Sequence, residues 1–546
     1  MSKTKRILLA SPHLSGNERK YVNDAIDSNW IAPLGEYVNR LENDICKKVE
    51  CNGAVAVSSG TAAIHLALLE AGVGVGDIVF CSDMTFAASA NPIVYCGAKP
   101  VFIDCDNETY NMSPDALKKA FTKYKAKAVV VASIYGIPAR LDEIAEICEK
   151  NNAVMIEDAT EVLGATYNNK YAGTVGKYGT FSFNGNKIIT TSGGGIIVSN
   201  DCKSLSHALS LATQAKLKSR YYEHDEIGYN YRLSNISAAI GVAQLECLEE
   251  KIAMKKEIYD RYNDAFAEFA DYGVYMLPVP NDRTSNYWLS ILILRDECFV
   301  EPEALVDTLD NENIEARHIW KPLHTQKCYG ETELFTQYGN SIEPNSVWFF
   351  KHGVCLPSDL NMTEEEQARV ISVIRTINKN LTTQFRLEGG EMAKKGGAPE
   401  NLKPVRSKEE AKKRGRNGGI QSGVTRRKKR DARKAAQLIL NLPCSEALEK
   451  NLRLMSVDEE DFTNRVALFA RAFAQAMTGD VRAMEFIVKI AGETPEQELD
   501  QKRFDNEIGK QEGSNNAVDD WVNSIPDIAM EEEENEDGTD GTAEEA

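Results

Sequence analysis

The stretch Ser182-Phe183-Asn184-Gly185-Asn186-Lys187, followed closely by Gly193-Gly194-Gly195, decides how the chain up to about residue 380 is read. Residues 179–183 have strand character, the loop after them carries a hydroxyl and an amine, and a glycine turn then leads into a second apolar strand at 196–199. A chain presents an amine beside a phosphate anchor in this way. Such an amine attacks a carbonyl carbon when its surroundings favour the neutral form. An ordinary exposed loop lysine would carry the same local sequence.

Upstream, Ala153-Val154-Met155-Ile156-Glu157-Asp158 reads as a buried parallel strand ending in an acid, and ligands of open α/β sheets bind at that end of the strands. With Lys187 forming a Schiff base to pyridoxal phosphate, Asp158 would face the pyridine nitrogen and keep it protonated, which makes the ring an electron sink. The other reading of Asp158 is a cap on a helix beginning near Glu161. Further upstream, Ala54-Val55-Ala56-Val57-Ser58-Ser59-Gly60-Thr61 runs from a strand through small residues into the helical pattern of 62–69, so free N–H groups and a dipole end collect where a phosphate would sit. After a strand at 78–81, Thr85-Phe86 opens another helical stretch. Phe86 suits stacking on a flat ring or simple core packing.

These segments, in this order, resemble the DegT/DnrJ/EryC1/StrS family of pyridoxal-phosphate-dependent nucleotide-sugar aminotransferases, of the type I, aspartate aminotransferase-like fold. The resemblance spans about residues 6 to 380. It is also carried by Ser28-Asn29-Trp30-Ile31-Ala32-Pro33-Leu34-Gly35, by 97–104, by Gly228-Tyr229-Asn230-Tyr231-Arg232-Leu233-Ser234-Asn235, by Trp320-Lys321-Pro322-Leu323-His324 and by Cys355-Leu356-Pro357-Ser358. The wording from Ser182 to the glycines, with the Trp-Lys-Pro-Leu-His segment, is most similar to the 4-aminotransferases of the UDP-N-acetylbacillosamine and exopolysaccharide pathways.

The resemblance implies that Lys187 carries the cofactor, Asp158 holds its ring nitrogen and Phe86 covers one ring face. Gly60, Thr61 and Ser182 would hold the phosphate, joined by Asn230 from the second subunit of a homodimer. Glu161 stands where many members have glutamine, and Ser192-Gly193-Gly194 replaces a more usual Gly-Glu-Gly. The implied substrate is UDP-4-keto-6-deoxy-N-acetylglucosamine, with L-glutamate as amino donor and 2-oxoglutarate as by-product. Dehydratase relatives on this scaffold have histidine in place of the lysine, so Lys187 points to transamination. Sugar contacts are expected from Asn29, Trp30, Arg232 and His324. Their alternatives are a core role for Trp30, a salt bridge for Arg232 and a satisfied structural role for His324.

The alternating strand and helix patterns from 54 to 199, for example 128–133, 141–151 and 153–158, describe a doubly wound, mostly parallel α/β sheet. A large domain over 1–245 is followed by a long helical pattern at 236–263. That pattern leads to a small α+β domain over 246–383, with a strand at 288–294 and a last helix at 363–378. The 12 cysteines form no Cys-x-x-Cys pair, so neither a zinc cage nor a disulfide framework is indicated, and a reducing cytoplasm fits. No apolar run reaches the roughly 18 residues of a membrane span, and Ile7-Leu8-Leu9-Ala10 is too short for a signal peptide.

Beyond 383 the character changes. The net charge of −19 hides a basic, Gly-rich arm (384–430) and an acidic tail: residues 391–440 hold 16 Lys+Arg against 5 Asp+Glu, and residues 441–546 hold 9 against 27. Between them, a small helical module is expected over 431–495, and a disordered tail over 496–546. Residues 405–495 resemble phage proteins of the terminase-small-subunit kind. The basic stretch 394–434 suits nucleic-acid phosphates, and equally a solvated linker or a contact with the chain's own acidic tail. An alternative function follows, a pyridoxal-phosphate-binding, DNA-associated regulator. A further alternative is an aminotransferase for another nucleotide keto-sugar.

Overall fold

A computed structural model describes residues 5–387 of the 546, apart from residues 296, 297, 299, 331, 340 and 341. Two helices, α1 (Glu18–Asp27) and α2 (Glu36–Val49), precede an alternating series. It runs β1 (Gly53–Val57), α3 (Gly60–Glu70), β2 (Ile78–Ser82), α4 (Asn91–Tyr95), β3 (Lys99–Ile103), α5 (Pro114–Lys123), β4 (Ala128–Ala132), α6 (Leu141–Lys150) and β5 (Val154–Asp158). A short hairpin, β6 (Thr166–Tyr167) and β7 (Lys170–Tyr171), leads to β8 (Tyr178–Ser182), β9 (Gly195–Ser199) and α7 (Cys202–Ala212). The helices α8 (Asn235–Glu246) and α9 (Leu248–Phe266) follow, then β10 (Val274–Met276), β11 (Ser290–Leu294), α10 (Pro302–Asn311), β12 (Arg317–His318), β13 (Leu334–Phe335), α11 (Asn345–His352), β14 (Gly353–Leu356) and α12 (Glu364–Leu387).

The large sheet has the order β1-β9-β8-β5-β4-β2-β3-β13, and every strand but β9 runs the same way. Side chains that alternate along each strand feed two cores. Val129 and Val131 of β4, with Ile196 and Val198 of β9, pack against α2, α5, α6 and α8. Val130 and Ile197 face α3, α4 and α7 on the other side. Both faces are therefore covered by helices, as the continuous apolar strands require.

The smaller sheet, β10-β11-β14-β12, is wholly antiparallel and packs on α9, α10 and α12. The division expected at residue 245 is crossed twice. Ile7 joins the small-domain core and bridges Ile314, whereas Leu334 and Phe335 pair with Phe102 and Ile103 at the edge of the large sheet. The helix expected over 236–263 is two helices, because the chain leaves helical geometry at Cys247. α8 can thus stay against α1 and α2 while α9 turns toward the small sheet. α12 continues through Leu387, past the boundary expected at 383, and from 388 onward the expected basic arm, helical module and acidic tail lie outside the described residues.

Two close contacts hold the strand ends in place. The backbone of Gly195 lies so near the start of α3 that a Cβ there would sit 2.4 Å from the Ser59 carbonyl carbon and 2.5 Å from the Gly60 nitrogen. Asp83, completely buried just after β2, accepts from the His324 backbone N–H at 2.8 Å and meets its Nδ1 at 2.7 Å, tying the 3₁₀ turn Leu323–Thr325 to the large sheet. Burial alone would lower the His324 pKa, but its hydrogen bond to Asp83 and that carboxylate's charge raise it above the usual value.

Gly195→Ala is expected to destabilise the fold by about 1–3 kcal/mol in urea unfolding, since backbone on both sides must shift to admit the methyl group. His324→Asn removes a cation that favours the folded state. The stabilisation is fully present below the unfolded pKa of about 6.5 and is lost as pH rises through the higher folded value. The variant is therefore expected to lose about 1–2 kcal/mol at pH 6 and progressively less by pH 9, measured by unfolding at the two pH values.

Candidate active site

The strand ends converge on one cavity of about 450 Å³. Ser58 to Thr61 come from the end of β1 and the start of α3, Thr85 and Phe86 from beyond β2, and Ala132 and Ser133 from the end of β4. Asp158, Thr160 and Glu161 follow β5, Ser182 to Lys187 follow β8, and Gly193 and Gly194 precede β9. The carboxyl edge of the sheet thus forms the floor, where open α/β sheets bind ligands.

Lys187 extends into this space with 13% of its side chain exposed. Its Nζ lies 3.4 Å from Glu161 Oε1 and 4.0 Å from the centre of the Trp288 ring. Glu161 is buried, and its other oxygen accepts from the Tyr135 N–H at 2.9 Å. Burial raises its pKa, although the Lys187 charge and the Tyr135 hydrogen bond offset part of that. The Trp288 indole N–H donates to the Asn186 carbonyl at 2.7 Å, which fixes the loop that carries the lysine.

Asp158 and Glu157 point to opposite faces of β5, as strand geometry dictates. Glu157 accepts three backbone N–H bonds, from Gly173, Val175 and Gly176, and is structural. Asp158 faces the cavity, where Oδ2 accepts from the Ser89 hydroxyl at 2.5 Å and Oδ1 from the Thr160 N–H at 3.2 Å. No helix starts near Glu161, so a capping role for Asp158 is ruled out.

These residues fit pyridoxal phosphate. Ser59 caps α3 by accepting from the Ala62 N–H at 3.1 Å, and the first turn of that helix leaves the Gly60 and Thr61 N–H groups without helical partners beside Ser182. A Cβ on Gly60 would come within 3.0 Å of Ser182 Cβ, so the cradle is as narrow as glycine permits. An amine for the aldehyde, a carboxylate for the ring nitrogen and an N–H cradle for the phosphate therefore line one space.

Of the residues expected to hold a cofactor, Gly60, Thr61, Phe86, Asp158, Glu161, Ser182 and Lys187 all line the cavity. Phe86 is 55% exposed with its ring centre 5.2 Å from that of Trp320, so it is a cavity wall and not core. Asn230 is exposed and lies outside the cavity of its own chain.

The four expected sugar contacts also lie outside the cavity of their own chain, and two of them take the alternative roles, a salt bridge and a structural bond. Arg232 pairs both terminal guanidinium nitrogens with Glu42 and donates to the Ala56 carbonyl at 3.1 Å, so its charge is already matched in a partly buried salt bridge. His324 is committed to Asp83. Trp30 is exposed rather than core, and Asn29 beside it adopts a left-handed backbone at φ 62°. Trp288, Trp320, Arg317, Ser133 and Ser89 were not anticipated as site residues. Ser133 ends the strand read at 128–133 and Ser89 lies in the helical stretch opened by Thr85-Phe86, whereas nothing local marks Arg317 or Trp288.

Residues 12–375 match the DegT/DnrJ/EryC1/StrS aminotransferase family. EpsN of Bacillus subtilis (strain 168), named as a pyridoxal phosphate-dependent aminotransferase, is 47% identical over 375 residues, 68% of this chain and 95% of EpsN. The GDP-perosamine synthase of Escherichia coli O157:H7 is 38% identical, covering 69% of this chain and 98% of that enzyme. Among solved structures, the aminotransferase TlmJ of Streptoalloteichus hindustanus superposes with a TM-score of 0.63 at 26% identity, over 69% of this chain and all of that one. A family aminotransferase of Brucella abortus gives a TM-score of 0.61, also at 26% identity, over 66% of this chain and 95% of that one. With the cavity floor, the cradle and the lysine in place, the chain belongs to the DegT/DnrJ/EryC1/StrS aminotransferase family, as a pyridoxal-phosphate-dependent sugar aminotransferase.

Proposed function

We propose that the enzyme transfers the amino group of L-glutamate to the 4-keto carbon of UDP-4-keto-6-deoxy-N-acetylglucosamine, with Lys187 as the catalytic lysine. The observation that carries this reading is the enclosed Lys187 amine, 3.4 Å from a buried carboxylate and sharing one cavity with Asp158. When bound, pyridoxal phosphate supplies the aldehyde that carries the amino group and the protonated ring that accepts the electron pair left on carbon.

The protein supplies the rest. Lys187 Nζ takes a proton from the donor's α-carbon as the neutral amine and later returns one, so it serves as base and then as acid. Glu161 accommodates the ammonium form in between, and the Trp288 face shields it from water. Asp158, oriented by Ser89 and Thr160, keeps the ring nitrogen protonated by its negative charge. Phe86 and Trp320 offer flat apolar faces to ring and sugar, and the Arg317 guanidinium at the rim, 69% exposed and paired with Glu315 at 2.7 Å, keeps a free edge that suits a substrate carboxylate or phosphate.

Asn230, on the exposed segment after α7, is proposed to complete the phosphate site of a second copy, which makes the working unit a homodimer. Tyr221, Tyr222 and Ile227, all more than 60% exposed on the same segment, accord with that. The buried thiols Cys81, Cys105, Cys148 and Cys355 are free, which accords with a cytoplasmic setting, and among the described residues no helix is long and apolar enough to cross a membrane.

A second reading, a GDP-linked keto-sugar, is favoured by the GDP-perosamine synthase relatives. The two are separated by offering the UDP-linked and the GDP-linked 4-keto-6-deoxy sugars with glutamate and following 2-oxoglutarate. Turnover with the UDP-sugar alone is expected. Preference for the GDP-sugar would replace the first reading with the second, and glutamate turnover with neither would sink both. Lys187→Ala is expected to lose about 10²–10⁴-fold or more in kcat. Arg317→Ala is expected to raise KM for one of the two substrates about tenfold, with little change in kcat.

A further inference from the structure

Lys255 is buried to 4% exposure on α9, yet among the described residues it makes no ion pair. A cation in such a place is costly unless hydrogen bonds compensate it. Its Nζ donates to two backbone carbonyls, those of Trp288, at 3.0 Å, and of Ser358. The charged groups that act on it are Asp359, which favours the cation, and Lys251 one turn earlier, which opposes it. Burial is the largest influence, and the pKa is pulled down to about 8.

Trp288 is held from three sides. Its backbone N–H donates to Asn286 Oδ1 at 3.0 Å, and Asn286 in turn donates to the Leu163 carbonyl at 3.1 Å. The indole N–H is fixed to Asn186, and the carbonyl to Lys255. Asn286 and Asn186 tie the residue to loops of the large sheet, whereas Lys255 belongs to the helix that carries the small one. The indole face also lies against the Lys187 amine, with its ring centre 4.0 Å from Nζ.

We infer that Lys255 is a positioning residue for Lys187, acting through the Trp288 carbonyl to hold the indole against the lysine amine. The inference rests on Lys187 being the cofactor lysine. A shift of the indole changes the cation–π contact at Nζ, with Glu161, Asp158 and Arg317 as the other charged groups lining that cavity.

The test uses the full chain freed of cofactor, with the pH dependence of acylation by acetic anhydride read at the Lys187 peptide by mass spectrometry. Lys255→Met is expected to move the Lys187 midpoint by about one pH unit, a differential interaction of about 1.4 kcal/mol. Lys255→Arg, which keeps the donors, is expected to restore it at least in part. On a Trp288→Ala background, Lys255→Met is expected to add nothing further, since no ring is left to be held against the amine. An unmoved midpoint in folded Lys255→Met, or the same shift added on top of Trp288→Ala, overturns the inference. Where Lys255→Met does not fold, Lys255→Gln is judged by the same two outcomes. Hydride trapping of the cofactor on a different lysine in the holoenzyme would sink the underlying reading; trapping on Lys187 with an unmoved midpoint sinks this inference alone.

Discussion

The close approach of β9 to the start of α3 is the constraint on which the active site depends. β9 is the one strand of the large sheet that runs against the others, and it lies between β1 and β8. Gly195 at its head touches the Ser59–Gly60 backbone, so the helix start is pressed toward Ser182 at the end of β8. The distance from the N–H cradle to the lysine loop is thereby fixed by backbone rather than by side-chain choice. Preorganisation of this kind costs nothing at the moment of reaction.

From that point the remaining parts fall into two tiers. Asp158 and Lys187 are presented directly by strand ends. They and their neighbours are then trimmed by hydrogen bonds from behind: Ser89 on Asp158 and Tyr135 on Glu161, both outside the cavity lining, and the Asn186 carbonyl on Trp288. The inner tier sets which chemistry is available, and the outer tier sets how closely its atoms are held.

The inner tier was legible in the sequence because each piece is local. A strand, a turn of small residues and a helix start are contiguous at 54–69, and the lysine loop and its glycines are contiguous at 182–195. What escaped depends on partners far away in the chain. Arg232 finds Glu42 across 190 residues and His324 finds Asp83 across 241, so no spacing rule announces either pair. Trp288 reads as the start of a strand, and only the fold turns its ring toward Lys187. The break at Cys247 escaped for a different reason. The apolar periodicity runs through it unbroken, and only the need to serve two cores forces the bend.

The pairing of β13 with β3 has a consequence for how the molecule is made. Strand β3 is complete by residue 103, but the segment that covers its outer edge, Leu334–Phe335, is synthesised more than 200 residues later. At typical rates of about 5–20 residues per second, that edge stays open for tens of seconds on the ribosome. Unpaired strand edges are templates for intermolecular pairing. Lys99 and Pro100 at the start of β3 are residues that blunt such edges, so the nascent chain carries its own protection until the late segment arrives.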